Sequence, residues 1–207
     1  MSTPFTLALI AGGKSSRMGR DKAFVPLGGK PIIAHILERT AALGQAETIL
    51  ITNRPADYAH LGLPMFEDIL PEKGALGGIY TAIARSATPY TLALACDMPF
   101  VNARLLSYML RLRDGNGGPW DVIVPRVEGH PQGLHAIYAR TCLPPIREQL
   151  EAGRLRVIGF YDAVRVRYLD ADEYAPLDPR GLSFFNVNTP EDLQIAEALW
   201  AGGGAEQ

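Results

Sequence analysis

Four short apolar runs recur along the chain, Phe5–Ala11, Thr48–Thr52, Thr91–Cys96 and Asp121–Pro125, each too short for a buried helix and too continuous for a half-solvated strand. Runs of this kind are central strands of a parallel sheet covered on both faces. Between them fall helix-period patterns at Pro31–Leu43, Gly78–Arg85 and Ala103–Arg113, the first with Pro31 at its first helical position and the third with Asn102 as its cap. This alternation specifies an α/β three-layer, Rossmann-like fold with a mostly parallel central sheet and right-handed crossovers. Ligands in such folds bind at the carboxyl ends of the strands, so functional residues are sought just after each run.

The second half is less regular. Leu134–Ala139 and Val164–Leu169 read as strands around a helix near Thr141–Ala152, with some antiparallel pairing expected. A final helix is announced by Thr189 as cap, Pro190 at the first position and acidic Glu191 and Asp192, and it runs on to Trp200. Ala201–Gln207 reads as a Gly-rich frayed tail, and Asp114–Gly118 as a loop. No Ser- or Pro-rich linker divides the chain, so 1–200 is expected to form one domain.

Composition excludes several classes. With 207 residues and 47% hydrophobic positions the chain can bury a sizeable core. Twenty Lys and Arg against 22 Asp and Glu give a net charge of −2, so no global positive field draws it to nucleic acid or an anionic membrane. The apolar start is too short to span a bilayer and lacks the basic flank and cleavage site of a signal peptide, which makes a cytoplasmic protein the expectation. Two cysteines, Cys96 and Cys142, with four scattered histidines support neither a disulfide framework nor a four-ligand zinc site.

The first strand runs into Ala11-Gly12-Gly13-Lys14-Ser15-Ser16-Arg17-Met18-Gly19-Arg20-Asp21-Lys22, with three glycines and four cations inside twelve residues. Glycine lets backbone N–H groups turn toward an anion without a Cβ clash, and Lys or Arg neutralises the charge they cradle. Directly after an apolar strand, this composition favours a phosphate loop over a solvated turn. It is not a Walker A loop, because Ala8 stands where the earlier glycine is required, and no Gly-x-Gly-x-x-Gly occurs.

Ile10-Ala11-Gly12-Gly13 followed by Ser16-Arg17-Met18-Gly19 and Asp21-Lys22 resembles the signature of GT-A-like nucleotidyltransferases. The whole pattern is most similar to the molybdenum cofactor guanylyltransferase family. It continues through Thr52-Asn53-Arg54, Glu67-Asp68, Gly74-Ala75-Leu76-Gly77-Gly78, Ala95-Cys96-Asp97-Met98-Pro99 and Asn186-Val187-Asn188-Thr189-Pro190. The resemblance implies transfer of GMP from GTP to the terminal phosphate of molybdopterin, with Mg²⁺ and release of pyrophosphate. It also implies that Asp97 binds the metal, that Lys22 contacts the nucleotide phosphates, and that the backbone of Ile10, Ala11, Gly12 and Gly13 borders base and ribose. Asn53 and Asp68 match positions that contact the nucleotide, the Gly74–Gly78 stretch lies beside it, and Asn186 and Asn188 belong to the active site. Cofactor-delivery and molybdoenzyme-maturation proteins are the implied partners.

The residues read by themselves agree in part. Asp97 follows a strand, and one hard carboxylate there suits Mg²⁺, which keeps several waters and needs few protein ligands. It lies too early to cap the helix beginning near Asn102. A carboxylate at Asp68 can accept from the N1–H and N2–H₂ edge of guanine, or it can bond its own turn, and both readings stay open. Either amide oxygen of Asn186 or Asn188 can complete a metal shell or serve an Asx-turn, and Asn188 is taken as the metal ligand.

For the acceptor, His130-Pro131 and His135 read as packing residues. Arg154, Arg156, Arg165 and Arg167 read either as pterin contacts or as surface strand charge. The expected chemistry is in-line attack of a phosphate oxygen on the α-phosphorus, with Lys22, Arg17 and metal-bound Asp97 stabilising the charge. Alternatives are a cytidylyltransferase on the same pterin, a sugar-1-phosphate nucleotidyltransferase, and a carrier that binds nucleotide without turnover.

Overall fold

The computed structural model describes residues 3–11, 21–113, 115 and 119–204. Gly12, Gly13, Arg17 and most of the Asp114–Gly118 loop therefore lie outside the described residues, as do the last three residues of the tail. Along the chain the elements run β1 (Phe5–Ala11), a hairpin of β2 (Pro26–Leu27) and β3 (Lys30–Pro31), α1 (Ile32–Thr40), β4 (Glu47–Thr52), α2 (Pro55–Tyr58), β5 (Met65–Phe66), α3 (Gly74–Arg85) and β6 (Tyr90–Ala95). They continue with α4 (Ala103–Leu112), β7 (Val122–Val127), β8 (His130–Pro131), β9 (His135–Ala139), α5 (Leu143–Glu151), β10 (Val166–Leu169), α6 (Ala171–Tyr174) and α7 (Pro190–Leu199). The chain divides into two compact units, Met1–Gly13, Gln45–Ala95 and Met109–Ala171 in one, Lys14–Gly44, Cys96–Tyr108 and Asp172–Gln207 in the other.

The first unit holds an eight-stranded sheet in the order β10-β7-β9-β6-β1-β4-β5, with β8 paired to β7. β1 is parallel to both neighbours, Ile10 lying opposite Ile51 of β4 and Ala95 of β6. β9 is antiparallel to β6 and to β7, and β10 is parallel to β7. The four apolar runs therefore point one way and end at one carboxyl edge, and the exception falls in the half where antiparallel pairing is expected. β7 turns into β8 through Glu128 (φ 50°) and Gly129 (φ 81°), a two-residue turn that makes antiparallel neighbours. Residues on both faces of β1 are buried, and one face packs Ile10, Ile49 and Ile51 against Leu76, Ile79 and Ile83 of α3 and Ile146 of α5.

Two helix starts differ from the sequence reading. α3 begins at Gly74 rather than Gly78, because Gly77 N–H already donates to the Lys73 carbonyl at 3.3 Å. Of the glycines that look like a loop, Gly78 is a packing notch, since a Cβ there would stand 2.9 Å from Ile10 Cγ2. Pro31 precedes α1 instead of opening it, as it is extended (φ −57°, ψ 145°) and paired with Pro26 in the hairpin.

In the second unit, Asn102 caps α4 as expected, its Oδ1 accepting from the N–H groups of Arg104 (2.8 Å) and Leu105 (3.2 Å). Thr189 and Asp192 close the capping box of α7. After α7 the chain makes one wide turn over Trp200–Gly204, and the Trp200 ring lies 4.4 Å from that of His35. His35 is fixed through Nε2, 2.8 Å from the Leu27 carbonyl. The indole fills the space over Gly28, where a Cβ would be 2.2 Å from Trp200 Nε1 and φ is +56°. Gly28→Ala is expected to lower unfolding free energy by about 1–3 kcal/mol through overpacking and a disfavoured backbone. Urea titration measures this, and an unchanged midpoint would mean the indole moves aside at no cost.

No helix among the described residues is long and apolar enough to cross a membrane. Cys96 and Cys142 are buried free thiols, and burial pushes both above the usual range, Cys142 to about 12.

Candidate active site

The second unit gathers Lys22, Asp97 and Asn188. Asp21 accepts through Oδ1 from Ala23 N–H at 3.1 Å and so starts a single helical turn with Lys22 as its first residue. Asp97 lies two residues past the end of β6, and its carbonyl accepts from Val187 N–H at 2.9 Å. Asn188 is held in turn by α7, because Asp192 Oδ2 accepts from the N–H groups of both Asn188 and Thr189 at 2.9 Å. Lys22 Nζ donates to Asn188 Oδ1 at 2.5 Å and stands 3.7 Å from Asp97 Oδ2. Asn186 instead donates to the Phe184 carbonyl of its own turn at 3.0 Å. The two asparagines thus separate, one facing the lysine and the other its own backbone.

Asp97 is the electrostatically unusual member. Burial raises its carboxyl above the ordinary range, and the Lys22 ammonium pulls it only part of the way back. Its Oδ1 is buried and has no hydrogen-bond partner among the described residues. Such an atom is costly unless something completes it, so the carboxylate is prepared for a cation or a donor. A hard, desolvated oxygen fits Mg²⁺, which takes one or two carboxylates and fills its shell with water and phosphate oxygens. Among the described residues no three His, Cys, Asp or Glu side chains gather as a cage.

The first unit holds a second cluster, and strand register explains it. β4 and β5 are parallel with Ile51 opposite Phe66, so the residues two past these positions, Asn53 and Asp68, face each other. Asn53 Nδ2 donates to Asp68 Oδ2 and Asp68 N–H donates to Asn53 Oδ1, both at 2.9 Å. Thr81 of α3 steadies the next residue, its hydroxyl accepting from Ile69 N–H at 3.0 Å. Asp68 Oδ1 is left buried without a hydrogen-bond partner among the described residues, close to Gly78, whose Cβ position is filled by Ile10 Cγ2. The carboxylate therefore bonds an asparagine across the sheet edge and not its own turn. Ile10 is buried at the end of β1, with Ala11 half-buried after it.

His135 is fully buried, and desolvation lowers its pKa to about 3, which keeps it neutral at physiological pH. Arg154 donates to Gln149 Oε1 at 2.7 Å, and Arg165 stacks on Trp120 at 5.1 Å. The sequence reading passed over a bidentate pair between Arg126 and Asp170, two residues 44 positions apart with no local pattern to connect them.

The family model described as a MobA-like NTP transferase domain matches residues 7–165. A probable molybdenum cofactor guanylyltransferase of Pelotomaculum thermopropionicum is 36% identical over 197 residues, covering 94% of this chain and 92% of that protein. One from Carboxydothermus hydrogenoformans is 33% identical over 189 residues, covering 91% and 93%. The crystal structure of molybdopterin-guanine dinucleotide biosynthesis protein A from Archaeoglobus fulgidus superposes with a TM-score of 0.82 at 25% identity, over 95% of this chain and 99% of that one. Sequence, sheet topology and structural likeness agree that this chain belongs to the MobA-like NTP transferase domain family.

Proposed function

We propose that the chain transfers GMP from GTP to the terminal phosphate of molybdopterin, forming the guanine dinucleotide and releasing pyrophosphate in the cytoplasm. The observation that carries this reading is the Lys22–Asp97–Asn188 arrangement, a cation locked beside a desolvated carboxylate with one oxygen unpartnered. The names of the similar proteins support GTP as the donor and molybdopterin as the acceptor. Cofactor-delivery and molybdoenzyme-maturation proteins are the partners this reading implies.

Lys22 neutralises phosphate charge in the ground state and in the transition state, and Asn188 fixes its ammonium so that little reorganisation is needed. Asp97 would hold Mg²⁺ through its unpartnered Oδ1; Asn188, taken from sequence as a second metal ligand, instead gives its Oδ1 to Lys22 in this arrangement. The bound ion supplies charge neutralisation at the reacting phosphoryl and departing pyrophosphate oxygens. Asp68 accepts from the guanine edge through its unpartnered Oδ1 while Asn53 fixes the carboxylate plane, and the end of β1 at Ile10 and Ala11 borders the base. No side-chain base is required, because a phosphate monoester with a second pKa near ~6 is already largely ionised at neutral pH. A neutral, fully buried His135 is compatible with that chemistry.

The test is to incubate the protein with Mg²⁺, molybdopterin and each of the four nucleoside triphosphates and follow dinucleotide formation. GTP-dependent product over many turnovers is expected, whereas a CTP-specific product or binding without turnover would replace this reading. Base choice is tested separately. Asp68→Asn should cut the preference for GTP over ATP by about 1–3 kcal/mol, since an amide then turns a donor toward guanine donors. Competition between triphosphates measures it, and an undiminished preference would leave the reading of guanine to the backbone.

A further inference from the structure

At the flank of the sheet remote from Asp68, β7 and β10 end together. Their parallel register sets Leu169 opposite Pro125, so Arg126 and Asp170 face each other one residue on, as Asn53 and Asp68 do at the other flank. Arg126 grips Asp170 with two donors, Nε to Oδ1 at 2.8 Å and Nη2 to Oδ2. Its guanidinium lies 4.5 Å over the Tyr168 ring, which is backed by Tyr161 at 6.4 Å. The side chains of Arg126 and Asp170 remain 36% and 51% exposed. The loop joining β8 to β9 follows the same edge, with Gln132 N–H donating to the Pro125 carbonyl and Ala95 N–H of β6 donating to the Leu134 carbonyl.

An exposed ion pair contributes about 0–1 kcal/mol to stability, so a strand staple gains little from this elaboration. Planar recognition gains more from it. The fork and the aromatic backing fix one guanidinium plane, which aims its remaining N–H groups for in-plane pairing with a flat ring edge. The carboxylate keeps spare lone pairs and the guanidinium spare N–H groups, side by side and facing solvent. Because the fork takes one lone pair of each oxygen, one side of the pair offers a single acceptor beside a single donor, which matches the ring N–H and adjacent carbonyl of a 2-amino-4-oxopyrimidine edge. Guanine carries this edge, and so does a pterin. The first unit thus has two carboxylates at opposite ends of one sheet edge, each braced by a planar partner, and the proposed reaction has two substrates that present the same edge.

We propose that Arg126 and Asp170, backed by Tyr168, form the pterin-recognition element of this chain. The assignment rests on the proposed function, in which the acceptor is a pterin. Two or three strand spacings of about 4.8 Å separate β7 and β10 from β6, a span matching a fused-ring pterin with its phosphate arm.

The test uses Arg126→Met and Asp170→Asn in the full chain, with separate KM values for molybdopterin and GTP, and quenching of 6-hydroxymethylpterin fluorescence without GTP. Both variants are expected to raise the molybdopterin KM roughly tenfold or more and to leave the GTP KM within about twofold. Arg126→Lys should fail to restore it, because an ammonium lacks the planar fork. Pterin quenching should fall in parallel, while circular dichroism stays unchanged. An unmoved molybdopterin KM in Asp170→Asn, which preserves side-chain shape, would overturn the proposal and leave a strand staple. A rise in the GTP KM instead would overturn it in favour of guanine binding. Arg126-dependent quenching in a protein that forms no dinucleotide would uphold pterin recognition while removing the proposed function.

Discussion

Asp97→Asn is expected to reduce dinucleotide formation roughly a hundredfold to a thousandfold at saturating GTP, about 3–4 kcal/mol of barrier, with the fold intact. The buried, unpartnered Oδ1 is the reason. An amide keeps the shape and the attachment of the main chain to Val187, yet it offers a metal no charge and presents phosphates with only a weak dipole. Stability should move the other way. Burial raises the folded-state pKa of Asp97, so its contribution to stability is fully present below the ordinary carboxylate pKa and is lost as pH rises through the raised value. In metal-free buffer at neutral pH the Asn variant should therefore melt no lower than the parent chain, and any lead should close as the solution is acidified. A variant that turns over normally with Mg²⁺ would remove Asp97 from the metal. One that melts far below the parent would show that the carboxylate is structural.

The second large effect is at Lys22. Lys22→Ala should lower kcat/KM for GTP roughly a hundredfold, about 3 kcal/mol, because a charged donor that meets phosphate before and during transfer is lost. Both kcat and KM should move, which distinguishes this variant from Asp97→Asn at saturating GTP. Asn188→Ala keeps the charge but releases its anchor, so a smaller loss of roughly tenfold is expected, carried mainly by kcat. Stopped-flow binding of a fluorescent GTP analogue together with pyrophosphate release separates the two. If Lys22→Ala binds and turns over as the parent does, its 2.5 Å bond to Asn188 is a tether for the single turn after Asp21 and nothing more.

Much of the molecule is legible from local pattern. Continuous apolar runs require strands buried on both faces, and β1, β4, β6 and β7 lie where those runs are, running in one direction. Asn102 and Thr189 act as caps because capping is decided within four residues of chain. Asp97 after β6 is visible for the same reason, since a strand followed by a carboxylate and a proline needs no distant information. Local pattern misleads where one composition serves two purposes. Gly74–Gly78 has the make-up of a loop, and only the approach of Ile10 shows why a helix there needs a residue without Cβ. Pro31 suits a helix start, and only its pairing with Pro26 holds it in the hairpin.

The sequence by itself determined the class of sheet, the direction of its main strands and the edge where chemistry is to be sought, because these follow from apolar periodicity and from the chirality of the chain. The tertiary structure alone decided which side chains meet. Asn53 with Asp68, Arg126 with Asp170, and Lys22 with Asn188 are separated by 15, 44 and 166 positions. The first two pairs depend on the register between parallel strands whose order in the sheet no local signal encodes, since a slip of one residue would turn each partner to the other face. The third depends on where a capped helix presents the residue just before it, and that is settled by packing between segments far apart in the chain.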